Sequence, residues 1–175
     1  MQTSKSFLVL FFKKELLPSL GYTVNIAIKM LDPRLLTWGL PAYQSDMAAG
    51  IDLHACIEAP LSLAPQSAAV LVSAGFAMHI ADPNVAAIIV PRSGLGHRHG
   101  LVVGNLVGVI DADYLGPIMV SAWNRSAPGG PPIVINPGDR IAQMLFVPIL
   151  RPQFTLVEAF ASVTARGEGG FGSTG

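Results

Sequence analysis

Gly104-Asn105-Leu106-Val107-Gly108-Val109-Ile110-Asp111-Ala112-Asp113-Tyr114-Leu115-Gly116 sets two carboxylates and a phenol between two short apolar runs. The flanks, 106–110 and 118–123, are rich in Val and Ile and read as strands. Together they predict a β-hairpin whose connection is 111–116. A turn that only reverses the chain is made from Asn-Gly or Asp-Gly. This one carries acids and an aromatic between rigid strands, which marks it as a site candidate; the plainer reading is an Asp-rich turn that serves its own backbone.

Outward from this stretch the same grammar repeats. Val24, Ile26, Ile28 and Met30 alternate with Asn25, Ala27 and Lys29, predicting a first strand with one buried face, ended by Asp32-Pro33. Ile51, Leu53, Ala55 and Ile57 share a face that puts Asp52 and His54 on the other. Phe76, Met78 and Ile80 alternate with Ala77 and His79, and 69–73, 85–90, 133–135 and 141–147 are further apolar runs punctuated by prolines. The spacing predicts an all-β sandwich or barrel-like roll of about eight to twelve strands. A brief turn within 93–100 is the one helical candidate, weakened by its glycines.

The chain of 175 residues is long enough for one domain with a core that needs no disulfide or metal staple. Its 51% hydrophobic and 13% charged residues are apolar for a monomer and point to surface buried in an oligomer. Net charge is zero with no basic cluster, which argues against a nucleic-acid surface. The longest apolar runs, 7–12 among them, are too short for a membrane span. A lone Cys56 excludes an internal disulfide and suits a reducing, cytoplasmic compartment; it reads as a small core residue. Residues 1–22 read as a loosely attached extension, 23–163 as the β domain, and the glycine-rich 164–175 as a flexible arm.

Three more segments carry chemistry. Pro91-Arg92-Ser93-Gly94-Leu95 brings a cation, a hydroxyl and glycine-exposed amides to a strand end, a combination suited to phosphate oxygens, although a simple turn fits as well. Pro137-Gly138-Asp139-Arg140-Ile141-Ala142-Gln143 adds an acid, a base and an amide, with Gln143 on the face of Ile141 if the segment is a regular strand. Arg166, Phe171 and Ser173 lie among the tail glycines, the composition of an arm that closes over a flat, anionic ligand. His97-Arg98-His99 lacks the further ligands a metal site needs, and the histidines are left unassigned.

Taken in order, five segments resemble the motifs of the trimeric deoxyuridine triphosphatases, over about residues 24–175. The first is Pro41-Ala42-Tyr43 through Ala49-Gly50-Ile51-Asp52-Leu53; the next three are 91–95, 104–116 and 137–143, and the last is Arg166-Gly167-Glu168-Gly169-Gly170-Phe171-Gly172-Ser173. The resemblance implies a distorted jelly roll and Mg²⁺-dependent hydrolysis of dUTP to dUMP and pyrophosphate. Such an activity limits uracil incorporation into DNA and supplies dUMP for thymidylate synthesis.

The resemblance also implies roles. Asp111 would orient and deprotonate the water that attacks the α-phosphorus in line, and Asp52 would face the catalytic or metal-bound water. Asn105 would fix the base and Tyr114 the deoxyribose, within a substrate-binding set that also takes Gly94, Gly108, Val109, Ile110 and Met119. Ser93 and Gln143, with Arg92, would meet the phosphates; Arg92 and Asp139 would form a bracing ion pair, with Arg140 in support. Arg166, Phe171, Gly172 and Ser173 would cover the bound nucleotide. Mg²⁺ would ride on the phosphates and water without a direct protein ligand, and the site would lie between subunits of a homotrimer, with no nucleic-acid or membrane partner. Ser45, Met47 and Ala48 depart from the first motif's usual residues. Alternatives on the same fold are a dCTP deaminase and a non-catalytic nucleotide sensor or partner-binding module.

Overall fold

The computed structural model describes residues 24–162 and 164–169. Alternation of large and small apolar residues with polar ones builds ten strands and a short helix among them. Strands β1 (Ala27–Met30), β4 (Val70–His79), β8 (Pro117–Asn124) and β6 (Leu101–Val103) form one sheet in the order β1-β4-β8-β6. Strands β2 (Ile51–His54), β10 (Arg140–Pro148), β5 (Val85–Val90) and β7 (Gly108–Ile110) form the other in the order β2-β10-β5-β7. A small third sheet pairs β3 (Leu61–Leu63) with β9 (Ile133–Ile135). All pairings are antiparallel. Leu53, Phe76, Ile89, Ile118, Val120 and Met144 are buried in one core cluster, each such side chain contributing roughly 1.5–3 kcal/mol of transfer free energy. The architecture is an all-β jelly roll.

The predicted hairpin around Asp111 does not form. β7 pairs with β5 in one sheet, while β8 pairs with β4 and β6 in the other, so residues 111–116 cross from sheet to sheet. The physical reason is burial. Ala112 is 9% exposed and its carbonyl accepts from the Ala81 N–H at 3.1 Å, so the turn is pinned to the end of the sandwich. Tyr114 donates its hydroxyl to the Pro117 carbonyl at 3.1 Å, and its ring occupies the space a side chain on Gly116 would need.

Two more strand readings change. The runs at 69–73 and 76–80 belong to one strand, β4, bent at Gly75, where φ is +80° and the register with β8 shifts between Ser73 and Ala77, the mark of a bulge. The first strand is shorter than predicted and its apolar face is not buried within the chain. Ile28 and Met30 are 47% and 42% exposed, because β1 is an edge strand; Ile28, with Val24 and Ile26 just before the strand, lines an open cleft of about 440 Å³ with Tyr43, Phe76, Met78 and Phe146. A helix α1 (Leu35–Trp38), not anticipated from sequence, plugs the core with Leu35. The turn expected within 93–100 is present as a π-helical stretch, Leu95–His99. Beyond β10, residues 149–162 and 164–169 contain no strand or helix. The extension 1–22 lies outside the described residues.

Gly75 joins two constraints: a left-handed backbone, and a position where a Cβ would overlap Cys56 Sγ and lie 3.1 Å from Asp32 Cβ and Leu35 Cδ1. Gly75→Ala is expected to destabilise the fold by about 2–4 kcal/mol, read as a lowered urea midpoint.

Candidate active site

The site is assembled by strand register. Gln143 on β10 stands opposite Asp52 of β2 on one side and Val90 of β5 on the other, so the first and fourth motifs meet in one row across three strands, next to the residue where the second motif begins. Directly paired residues point to the same face, and this row faces outward, with Asp52 and Gln143 partly exposed. Between Arg140 and Ala142 the register with β2 slips. Both Ile141 and Ala142 are consequently buried, and Gln143 turns to the face opposite Ile141, contrary to the regular-strand expectation. The bulge's extra residue is what lets Arg140 and Gln143 share a face.

Asp52 is the electrostatic centre. Its Oδ1 forms an ion pair with Arg92 Nε at 2.8 Å, and its Oδ2 accepts a hydrogen bond from Arg140 Nη1 at 3.2 Å. Arg92 also donates from Nη1 to the Arg140 carbonyl at 3.4 Å. The guanidiniums are partly exposed, so each pair adds at most on the order of 1 kcal/mol to stability; their consequence is orientation. Two cations on one anion leave a surplus positive charge beside Ser93, which is exposed at the end of β5. The expected Arg92–Asp139 ion pair is not made. Asp139 Oδ2 instead accepts from the Asn136 backbone N–H at 2.7 Å and its side-chain amide at 3.3 Å, closing its own turn, while Arg92 is directed to Asp52 by the β5–β10–β2 register.

Gln143 donates from Nε2 to the Pro91 carbonyl at 3.0 Å, which steadies the strand end carrying Arg92, Ser93 and Gly94. A side chain on Gly50 would approach Gln143 Oε1 to 3.4 Å and the Met144 carbonyl to 3.3 Å, so the glycine keeps this wall open. His54, one alternation from Asp52, is register partner to Arg140. Burial pushes its imidazole below the usual histidine range; Asp52 opposes this and the Arg140 and Arg92 cations add to it. Cys56, half-buried, has its thiol pushed up to about 11 chiefly by burial, which leaves it protonated and a poor nucleophile.

The third motif stands apart. Gly108 pairs with Ile89 near the row, but β7 then runs away from it, so Ile110 is opposite Ala87. That is three residues, about 10 Å, back along β5 from Val90, and two strands, about 10 Å, from β10. Asp111 lies beyond it, exposed; its carbonyl accepts from the Tyr114 N–H at 3.2 Å, and its carboxylate makes no hydrogen bond or ion pair among the described residues. Asn105 and Val109 are exposed, and Leu106 is held at φ +65°. Gly108 backs onto Ile89, whose Cβ would lie 3.2 Å from a side chain there. Met119 projects from the outward face of β8, opposite Ser73, in the other sheet. Arg166 closes an exposed turn by donating from Nε to the Gly169 carbonyl at 2.7 Å; Phe171, Gly172 and Ser173 lie outside the described residues. One chain therefore joins Asp52, Arg92, Arg140 and Gln143, with Ser93 and Gly94 following Arg92, and leaves Asp111 beyond the far end of β7.

Two packed antiparallel sheets with a charged, glycine-flanked row at one sheet end define a jelly roll. The dUTPase family profile matches residues 37–175. The chain is 55% identical over 152 residues to the deoxyuridine 5'-triphosphate nucleotidohydrolases of Salmonella arizonae and Salmonella typhimurium, covering 86% of this chain and 97% of each relative. Among solved structures it is similar to the dUTPase of Staphylococcus bacteriophage 80alpha with dUPNHPP, at TM-score 0.73 and 26% identity, covering 87% of this chain and 99% of that one. It also shares its fold, at TM-score 0.68 and 24% identity over 79% of this chain, with a mutant dUTPase of phage phi11 of S. aureus that coordinates a structural Mg(II) ion. The chain belongs to the dUTPase family.

The His54 shift sets a pH dependence. Because its pKa in the folded chain is depressed, the unfolded chain takes up the proton first. Stability is expected to be undiminished above the unfolded value of about 6.5 and to fall as pH drops below it. His54→Gln should flatten the acid side of a melting-temperature profile between pH 8 and pH 5; an unchanged slope would exclude His54 as the titrating group.

Proposed function

We propose that the chain hydrolyses dUTP to dUMP and pyrophosphate, with Ser93, Gln143 and Arg92 meeting the phosphates and Asp111 activating the water. The observation that carries this reading is the Asp52–Gln143–Val90 row, which gathers two separate motifs and the start of a third beside a surplus of positive charge. Glycine-flanked amides after Val90 and a guanidinium suit phosphate oxygens. Asp111 carries a carboxylate without a competing partner among the described residues, as a group that must accept a proton from water requires. It orients the water for in-line attack on the α-phosphorus, and the pyrophosphate departs opposite. Asp52 holds Arg92 and Arg140 in place next to this centre. On the base side, Asn105, with Gly108, Val109, Ile110 and Met119, receives uracil, and Tyr114 packs on the deoxyribose. Arg166, Phe171, Gly172 and Ser173 close over the nucleotide.

The site is shared between copies. The separation of Asp111 from Gln143 within one chain is too large for a base and a phosphate contact on one α-phosphate, so Asp111 acts with the row of a neighbouring subunit. Leu150, Phe154, Leu156 and Phe160 are 92%, 93%, 101% and 89% exposed, apolar surface that a second copy covers. A homotrimer, as the motifs imply, meets both needs.

Among the described residues no three His, Cys, Asp or Glu side chains gather to hold a metal, and both Asp52 oxygens are occupied by arginines. This donor set fits Mg²⁺ carried on substrate oxygens and waters, with Asp52 behind that shell; the ion supplies charge neutralisation to the phosphates. No described helix is long and apolar enough to cross a membrane, and a cytoplasmic enzyme acting on a free nucleotide suits the unbridged Cys56.

Pyrophosphate release across the nucleoside triphosphates, with and without Mg²⁺, is expected with dUTP alone and to be lost with EDTA; ammonia release from dCTP would overturn the assignment. Asp111→Asn should lower kcat by about 10²–10⁴-fold while KM changes little. A near-normal kcat would remove Asp111 as the base.

A further inference from the structure

The helix α1 stands outside the motifs yet touches one of them. The Trp38 indole packs on Gly138, so closely that a Cβ there would come within 2.9–3.1 Å of the ring. Gly138, at φ +84°, belongs to the turn that leads into Arg140. That turn is otherwise held from one side: the Gly138 N–H donates to the Ala55 carbonyl at 2.9 Å, and the Ala55 N–H donates to the Asp139 carbonyl at 2.8 Å. The indole closes the other side.

The ring is itself anchored. Arg34, one helical turn earlier, lies with Cζ 5.2 Å from the Trp38 ring centroid, within cation–π range. Its guanidinium is fixed by Asp32, at 2.6 Å from Nη2 and 2.9 Å from Nε, by the Ile57 carbonyl at 3.0 Å, and by Glu58 at 2.9 Å. These contacts tie the helix to the chain on both sides of β2, the strand that carries Asp52. A continuous brace therefore runs from Asp32 and Glu58 through Arg34 and Trp38 to the Gly138 turn, Arg140, Asp52 and Arg92.

We propose that Trp38 is a positioning residue of the phosphate site: its ring, clamped by Arg34, fixes the turn that delivers Arg140 to Asp52 and so aligns Arg92 beside Ser93. The inference rests on the reading of Ser93, Gln143 and Arg92 as phosphate contacts. Without the ring the turn gains freedom on its open side, and Asp52 loses the fixed partner that holds it against Arg92. Phosphate binding weakens in ground and transition state alike, so the loss falls on KM.

The test is steady-state dUTP hydrolysis by Trp38→Ala and Trp38→Phe in the full-length enzyme, beside Gln143→Ala. Trp38→Ala is expected to raise KM about tenfold with kcat within about threefold of the parent. Trp38→Phe, which keeps a flat ring between Arg34 and Gly138, should restore KM to within about threefold. An unchanged KM in folded Trp38→Ala, or a Phe variant as impaired as the Ala variant, overturns the inference. If Trp38→Ala gives no soluble protein, Trp38→Leu is judged by the same criteria; loss of folding in all three Trp38 variants also overturns it. A Gln143→Ala enzyme with normal KM would instead undo the phosphate-site reading beneath it.

Discussion

One carboxylate shared between two guanidiniums organises the working end of this molecule. Asp52 comes from β2, Arg140 from the start of β10 and Arg92 from the end of β5, and each arrives by strand pairing. The pairs contribute little to stability because water reaches the arginines. What they supply is direction: a guanidinium held by an oxygen it cannot leave cheaply presents its remaining N–H groups at a defined place. Displacing Asp52 would release both arginines at once.

The backbone makes that sharing feasible through irregularities. A regular strand would put Arg140 and Gln143 on opposite faces; the slip between Arg140 and Ala142 brings them together and drives Ile141 and Ala142 into the core. In the facing sheet, Gly75 bends β4 in the same spirit, its carbonyl accepting from the Leu31 and Asp32 N–H groups at 2.8 and 2.9 Å. That contact carries the chain into Arg34 and the helix bracing the fourth motif. Two bulges, one in each sheet, thus connect the core to the charged row.

The apolar character of the chain has a spatial meaning as well. The core is filled, yet β1, the residues around Val109 and the stretch after β10 still present large apolar side chains to solvent. Such surface suits an enzyme whose third motif is stranded at the wrong end of its own sheet. In the proposed homotrimer, burial between copies and completion of the site would be met by the same association.

Much of the fold was legible along the chain. Alternation located β2, which has one face in the core and one facing out, short apolar runs located β5, β9 and β10, and ordered glycines, acids and arginines located the motifs. The helix at Leu35–Trp38 escaped because four residues carry no helical period. Gln143's face was misread because a bulge leaves no mark on a hydrophobic pattern. The 106–123 hairpin was misread because adjacent Val/Ile runs look alike whether they pair with each other or with strands far away in sequence. The sequence by itself determined the strand content, the segments bearing chemistry and the residue types in them. Only the tertiary structure decided that Asp52 holds Arg92 in place of Asp139, that Asp111 stands apart from Gln143, and that Trp38 leans on Gly138. The first two are set by strand register, a property of paired strands and not of either strand alone, and the third is a long-range packing of a helix on a turn.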